Sequence, residues 1–170
     1  EGLVVSADDV SVRNLKITDA TSDGSQGQIL NIDDGPSGVT IDGVTFDGAG
    51  EFHGGSVIGT DEPVGDNLAI TNCEVQKGAL GFNGSSDASA EITNNFIDAA
   101  SGDGIFVTGA SDLTIENNEA TDVPSSNVGI RVTNSNATVN GATTTKDTLE
   151  TLLAENGIDT AAVSGSVGTK

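Results

Sequence analysis

Paired acidic residues and the only histidine of the chain are the first candidates for chemistry. Asp33 and Asp34 stand side by side, and His53 lies in a polar stretch farther along the chain. Two carboxylates can divide the acid and base roles in glycosidic-bond hydrolysis, and a histidine can carry a proton near neutral pH. Because Gly35 and Pro36 follow the acidic pair, a solvated turn is the simpler interpretation of that segment. A single histidine in a loop is likewise more often an exposed polar residue than a base or a ligand.

A calcium site is the second candidate, formed by Asp61, Glu62 and Asp66. Calcium binds several carboxylate or carbonyl oxygens, and these three acids are close together in sequence. Their spacing lacks the regularity of a dedicated calcium loop, and a hydrated acidic surface explains them without a metal. We therefore expect no cofactor other than this candidate Ca²⁺. The preceding loop contributes Phe52 and His53 as candidate ligand-binding residues, because long loops on a rigid scaffold often carry binding sites.

The charge balance of the chain restricts its partners. Asp and Glu number 26 against 6 Lys and Arg, and the formal net charge is -20. Nucleic acid is disfavoured as a partner, because phosphate contacts need cations. Self-repulsion of this size destabilises a compact chain unless salt screens it, and at molar salt the Debye length falls to about 3 Å. The acidic, lysine-poor composition resembles that of proteins from extreme halophiles, and an ordinary acidic extracellular protein is the alternative.

The chain repeats a short unit, and the repetition predicts the fold. Apolar residues recur every 22 to 29 positions at the centre of a period-2 alternation, which marks a strand. This column consists of Val12, Ile41, Ile70, Ile92, Ile115 and Val139. Two residues later only asparagine or glycine occurs, at Asn14, Gly43, Asn72, Asn94, Asn117 and Gly141. Because these residue types tolerate left-handed backbone angles, each coil is expected to turn a tight corner there.

Side-chain size favours a core of stacked coils. Aromatic residues make up only 3% of the chain, Trp and Met are absent, and there are 23 glycines. A solenoid can build its core from Val, Ile, Leu and Ala, because each repeat buries its face on the next. Asparagine side chains stacked at the corners could hydrogen-bond from coil to coil and satisfy buried backbone groups. Cys73 shares a column with Leu15 and Val44 and is expected to be a small buried hydrophobe.

The outward face of the first strand in each coil supplies the remaining candidate binding residues. The predicted column, which contains no carboxylate, is Val4, Asn31, Val57, Gly81, Phe106 and Arg131. We assign Asn31, Phe106 and Arg131 as candidate ligand-binding residues. With its aliphatic neighbours this strip could accept a sugar ring, a partner sheet or a second subunit, as exposed apolar patches often do.

The repeated turns AITNC, EITNN and TIENN resemble those of the right-handed parallel β-helix in the pectate lyase-like superfamily. The resemblance covers roughly Gly2 to Thr144 and implies an all-β solenoid of about six three-strand coils, which we assign to residues 1–145. It carries little information on activity, because that superfamily includes lyases, hydrolases, epimerases, viral tailspikes and surface adhesins.

The same resemblance indicates what an enzyme of this kind would need. In such enzymes, acids and cations on the outer face of the first sheet bind the sugar chain, and a calcium-dependent lyase needs several oxygen ligands and a base. The predicted column offers one arginine and no metal ligand, which counts against a lyase. Asp33 and Asp34 followed by His53 faintly resemble the polygalacturonase pattern. The chain departs from that pattern because Phe52 precedes the histidine in place of glycine and no Arg-x-Lys follows.

After Thr144 the repeat pattern stops. In the segment KDTLETLLAENG, three leucines share one face of a predicted helix that ends at Gly157. We assign residues 146–170 to a short C-terminal capping helix and tail. A solenoid needs such a cover, because the open strand edges and core of its last coil would otherwise meet water.

Together these observations favour a non-catalytic β-helix module with a structural, adhesion or carbohydrate-binding role in high salt. Its expected location is extracellular, on a cell surface or on a virion. A glycan or another subunit of a surface assembly is the expected partner, and no run is long and apolar enough to span a membrane. The alternative is a polysaccharide lyase, glycoside hydrolase or epimerase that acts on acidic glycans, with its site among the loops from Asp47 to Asn67.

The charge generates a first prediction. We expect the melting temperature to rise steeply from dilute buffer to molar NaCl, because salt screens the repulsion between neighbouring surface carboxylates. Thermal unfolding followed by circular dichroism across this range measures the effect. A flat melting temperature would contradict the interpretation of the chain as halophilic.

Overall fold

The computed structural model describes residues 2–18, 29–33, 35–47, 57–60, 63–84, 88–98, 103–123, 127–141 and 143–144. All regular structure within these ranges is β-strand. In chain order the strands are β1 (Leu3–Val5), β2 (Ser11–Arg13), β3 (Lys16–Thr18), β4 (Leu30–Ile32), β5 (Thr40–Asp42), β6 (Thr45–Asp47), β7 (Ile58–Thr60), β8 (Leu68–Thr71), β9 (Glu74–Gln76), β10 (Leu80–Asn83), β11 (Ser89–Thr93), β12 (Phe96–Asp98), β13 (Ile105–Thr108), β14 (Asp112–Glu116), β15 (Glu119–Ala120), β16 (Ile130–Thr133), β17 (Ala137–Asn140) and β18 (Thr143–Thr144).

Three parallel sheets run side by side along the molecule, each with six strands. Every third strand belongs to the same sheet, so the orders are β1-β4-β7-β10-β13-β16, β2-β5-β8-β11-β14-β17 and β3-β6-β9-β12-β15-β18. Three consecutive strands therefore form one coil of a solenoid, and each coil pairs with the next through all three of its strands. This arrangement confirms the predicted all-β parallel solenoid and agrees with about six coils.

The predicted column of central apolar residues is confirmed by the strand register. The central apolar residues pair from coil to coil in the order Val12, Ile41, Ile70, Ile92, Ile115 and Val139. All of them are buried in one core that runs through the described coils. The core consists mainly of Val, Ile, Leu and Ala, with Phe46 and Phe82 as its largest buried side chains. Short strands with aliphatic inward residues are thus sufficient, because every coil is covered by its neighbour.

The predicted corner has the backbone geometry that its residue types suggest. All six corner positions have a positive φ, between 52° and 63°, at Asn14, Gly43, Asn72, Asn94, Asn117 and Gly141. This left-handed conformation costs most residue types roughly 1–2 kcal/mol, and asparagine and glycine adopt it most readily. The corner N–H groups donate to carbonyl groups of the following coil, as from Asn94 to Glu116 at 3.0 Å. Each coil can therefore repeat the same turn.

Buried asparagines connect the coils one residue beyond the corner. Asn95 and Asn118 are only 2% and 1% exposed. Asn118 Oδ1 accepts hydrogen bonds from the Asn95 backbone N–H at 2.9 Å and from Asn95 Nδ2 at 3.0 Å. The two Nδ2 groups donate to the carbonyl oxygens of Ile70 and Ile92, at 2.9 and 2.8 Å. These amides therefore satisfy backbone groups that have no access to water.

The expectation that the corner asparagines serve buried backbone groups is therefore wrong by one position. Asn94 and Asn117 are exposed, whereas Asn95 and Asn118, the residues that follow them, point inward. The physical reason is that the left-handed residue turns the chain, so that the next side chain, not its own, faces the core.

Cys73 occupies the same inward position one coil before Asn95. It is buried, as predicted, and its backbone N–H donates to Asn95 Oδ1 at 2.9 Å. The thiol lies 3.2 Å from the Thr71 carbonyl oxygen and 3.7 Å from that of Ile41, so it donates where the asparagines use an amide. Burial raises the pKa of the Cys73 thiol, which keeps this donor protonated.

Several apolar residues of the first described coil are more exposed than their counterparts in later coils. Leu15 is 47% exposed, whereas Val44 and Cys73, which follow it in the same column, are buried. Leu3 and Val4 in β1 are also exposed. At the other end of the chain, the predicted capping helix and tail of residues 146–170 lie outside the described residues.

The buried asparagines generate a second prediction. Asn118→Ala should lower the free energy of unfolding by about 2–4 kcal/mol, because it removes the acceptor of the Asn95 N–H groups and a donor to the Ile92 carbonyl. The matched control is Asn117→Gly, which keeps the left-handed corner and should stay within about 0.5 kcal/mol of wild type. Urea unfolding in molar NaCl measures both. Equal losses for the two variants would contradict the assigned role of Asn118.

Candidate functional site

The outward column of the first sheet contains five of its six predicted residues. The register aligns Val4, Asn31, Gly59, Gly81, Phe106 and Arg131, which we call the first-sheet strip. Gly59 therefore replaces the predicted Val57. The strip contains no carboxylate, and its two central glycines leave its middle without side chains. Phe106 and Arg131 lie directly opposite each other on β13 and β16 and are both partly buried.

Val57 is a core residue, so its predicted outward position is wrong. It is completely buried, and its carbonyl oxygen accepts hydrogen bonds from the N–H groups of both Ile29 and Leu30, at 2.9 and 3.0 Å. Val57 and Ile58 are adjacent and both are buried, as are Ile29 and Leu30 in the coil before. Alternation cannot fix which residue faces outward where two successive residues enter the core, and this explains the error.

Arg131 is held by a carboxylate that the strip itself does not contain. Its Nε lies 2.5 Å from Asp103 Oδ2, and its Nη2 lies 3.2 Å from Asp103 Oδ1. Asp103 Oδ1 also accepts a hydrogen bond from the Val128 backbone N–H at 2.9 Å. The Asp103 and Arg131 side chains are 13% and 32% exposed. This two-point contact fixes the guanidinium group and joins the segment before β13 to β16 of the next coil.

Both charges of this pair are stabilised by the contact. Burial by itself raises the pKa of Asp103, but the hydrogen bonds from Arg131 and Val128 and the positive charge of Arg131 outweigh it. The pKa of Asp103 therefore lies below its ordinary value. The hydrogen bond to Asp103 in turn raises the pKa of Arg131. Arg131 is thus a cation that is already neutralised within the fold.

Most of the predicted loop site lies outside the described residues. This applies to Phe52, His53, Asp61 and Glu62, which remain predictions. Asp66 is described and exposed. Its backbone N–H donates to Ser37 Oγ at 3.2 Å, and its carbonyl oxygen accepts from the Gly38 N–H at 2.8 Å. Among the described residues there is no group of three or more His, Cys, Asp or Glu side chains that could hold a metal ion. The candidate calcium site therefore also remains a prediction.

Other outward carboxylates contact the neighbouring coil. Asp42 accepts hydrogen bonds from Asn72 Nδ2 at 2.8 Å and Thr71 Oγ1 at 2.9 Å, and it lies 3.8 Å from Arg13 Nη1. The hydrogen bond from Asn72, followed by that from Thr71, keeps the pKa of Asp42 below its ordinary value. These contacts link three successive coils, so this carboxylate has a structural role on the outer surface.

The outer face of the second sheet contains a shallow depression that the sequence did not suggest. Its volume is about 310 Å³, and its lining consists of Asn67, Leu68, Ala69, Ser89, Ala90, Glu91, Asp112 and Thr114. We call it the second-sheet depression. These residues come from β8, β11 and β14 or the position just before β8, which are neighbours in space but 22 or 23 residues apart along the chain. Ala69 is a small outward residue, and the next two coils carry the outward carboxylates Glu91 and Asp112. Alignment of the coils in the sequence could have revealed this combination.

The Asp103–Arg131 pair generates a third prediction. Asp103→Asn should lower the free energy of unfolding near neutral pH by about 1–2 kcal/mol, since it removes one charge from a partly exposed, two-point contact. Because folding depresses the pKa of Asp103, its stabilising effect is present above the unfolded-state pKa of about 3.9 and disappears as the pH falls through the folded value.

Urea unfolding of wild type and Asp103→Asn at neutral and at acidic pH, in molar NaCl, measures this difference. Glu119→Gln, which alters an exposed carboxylate on β15, should change little at either pH. A gap between Asp103→Asn and wild type that persists unchanged in acid would contradict the prediction.

Comparisons with known proteins agree with this architecture. Residues 28–166 match a family described as "Right handed beta helix region", a match that covers well over half of the chain. No curated protein and no solved structure matches the chain. The described part of the chain contains no helix with the length and hydropathy that a membrane crossing requires. The parallel three-sheet solenoid and the family match lead to one conclusion: the chain belongs to the family of right-handed β-helix proteins.

Proposed function

We propose that this β-helix is a non-catalytic module located outside the cell or on a virion, where it acts as a rigid structural, adhesion or carbohydrate-binding surface in high salt. The proposal rests mainly on the ion pair that Arg131 forms with Asp103. Arg131 is the only cation of the first-sheet strip, and Asp103 holds it through two hydrogen bonds. A guanidinium group engaged in this way would have to give up a strong partner before it could bind an acidic sugar.

The charged contacts on the outer surface support a structural role. Arg13 and Lys16 in the first coil approach Asp42 and Asp47 in the second, at 3.8 and 3.6 Å. Arg131 likewise bonds to an acid from the preceding coil. Three of the four cations in the described residues thus connect successive coils. A surface whose cations hold coils together is suited to rigidity.

The large excess of acids supports the high-salt setting. The net charge of -20 is distributed over a chain with only 6 Lys and Arg. In dilute buffer such a charge opposes compaction, whereas in molar salt the repulsion acts only over about 3 Å. A stack of coils with small side chains buries little apolar surface, so its core offers limited stabilisation against charge repulsion. Screening of that repulsion by salt therefore matters particularly for this architecture.

A depolymerisation assay tests the proposal. Purified protein in molar NaCl is incubated with uronate-containing polysaccharides, and new chain ends are measured over time. The same chain is tested on a glycan array. We expect no turnover, because the strip provides no free cation and no carboxylate for acid–base work.

The variants His53→Ala and Asp61→Ala distinguish the proposal from the enzyme alternative. Turnover by wild type that either substitution abolishes would overturn the proposal and favour a lyase, hydrolase or epimerase site in the loops. Glycan binding without turnover would support a carbohydrate-binding module, and neither binding nor turnover would support a purely structural one.

A further inference from the structure

We propose that the second-sheet depression binds a single non-acidic sugar unit, one that carries hydroxyl or amino groups and no acid. This inference rests on the proposed function as a carbohydrate-binding module and places the ligand on the second sheet, away from the first-sheet strip. The depression has a volume of about 310 Å³, at the lower end of the range for small-molecule sites and large enough for one sugar ring.

The strand register gives the depression an ordered set of polar groups. Ser89 pairs with Asp112, and Glu91 pairs with Thr114, on the adjacent strands β11 and β14. All four are outward positions, so two hydroxyl groups and two carboxylates form a four-cornered array with the carboxylates at opposite corners. Neighbouring strands are about 4.8 Å apart, and outward residues two positions apart on a strand are about 6.7 Å apart. An array of this size can present its side-chain oxygens to several groups of one sugar unit.

The residue in the outward column at β8 is smaller than its counterpart in the coil before. Ala69 lies beside Glu91 in register, whereas the coil before has Thr40 at this position. The single methyl group of Ala69 leaves space next to Glu91. It also provides a small apolar contact for the face of a ring. Two residues before Ala69, the Asn67 backbone N–H donates a hydrogen bond to Ser89 Oγ at 2.9 Å. Ser89 is the acceptor in this bond, so its own hydroxyl hydrogen can donate to a ligand.

The charge of the lining determines which sugars are suitable. Glu91 and Asp112 form no ion pair within the described residues, in contrast to Asp42, Asp47 and Asp103. Their oxygens accept hydrogen bonds, and Glu91 has one short-range contact, from Thr93 Oγ1 at 3.3 Å. Sugar hydroxyl and amino groups are donors, so they match this lining. Uronates and sulfated sugars would place an anionic group, which can only accept hydrogen bonds, beside two carboxylates that also only accept, so the lining offers that group no donor and excludes it.

Calorimetric titration in molar NaCl tests the inference with three probes: methyl glucoside, glucosamine and glucuronate. We expect the first two to bind with a dissociation constant of about 1 mM, the weak range for one sugar unit, and glucuronate not to bind. Ala69→Leu should weaken binding at least tenfold, because the longer side chain fills the floor. Thr40→Leu makes a similar change in the same column, one coil outside the depression, and should bind as wild type does.

Two further outcomes keep this test separate from that of the proposed function. Sugar binding that survives in Ala69→Leu but is lost in Phe106→Ala would overturn the depression as the site, while leaving a carbohydrate-binding role on the first-sheet strip. Binding of none of the three sugars would overturn the inference and leave the non-catalytic proposal to the depolymerisation assay. Melting temperatures of Ala69→Leu and Thr40→Leu confirm that both variants are folded.

Discussion

The structure depends on one constraint: every coil must make the same turns, so that its three strands fall in register with those of the coils on either side. A left-handed residue after each second strand meets this constraint, with φ between 52° and 63° at all six positions. Each corner N–H in the first five coils then bonds to the following coil. If one corner opened, inward side chains of that coil would leave their columns and the parallel hydrogen bonds on both sides would be lost.

The same constraint explains the small size of the side chains in the core. Each coil consists of only three short strands, and the neighbouring coils cover its interior. Aliphatic residues such as Ile92 and Ile115 are therefore sufficient to fill the core. The turn also brings backbone carbonyl groups into the interior, away from water. Asn95, Asn118 and the Cys73 thiol provide donors for them. The polar content of the core is therefore a consequence of the turn geometry and not an isolated feature.

On the outer surface, register brings together residues that are far apart in the chain. Asp103 and Arg131 are 28 residues apart and form a two-point charged contact beside the first sheet. On the second sheet, Glu91 lies beside Ala69 and Asp112 lies one strand farther on, for the same reason. Rigid coils hold such groups at fixed spacings without ordering a loop, which lowers the entropic cost of binding a partner.

The sequence by itself determined the fold, because its signals are local and repeated: the apolar column through Ile70, the asparagine or glycine two residues later, and the burial of Cys73. Only the tertiary structure decided that Val57 faces the core, because the alternation of inward and outward residues is interrupted where two successive residues are buried. It also decided which asparagines face inward and which carboxylate holds Arg131. These features depend on contacts between coils, which residue spacing along the chain does not encode.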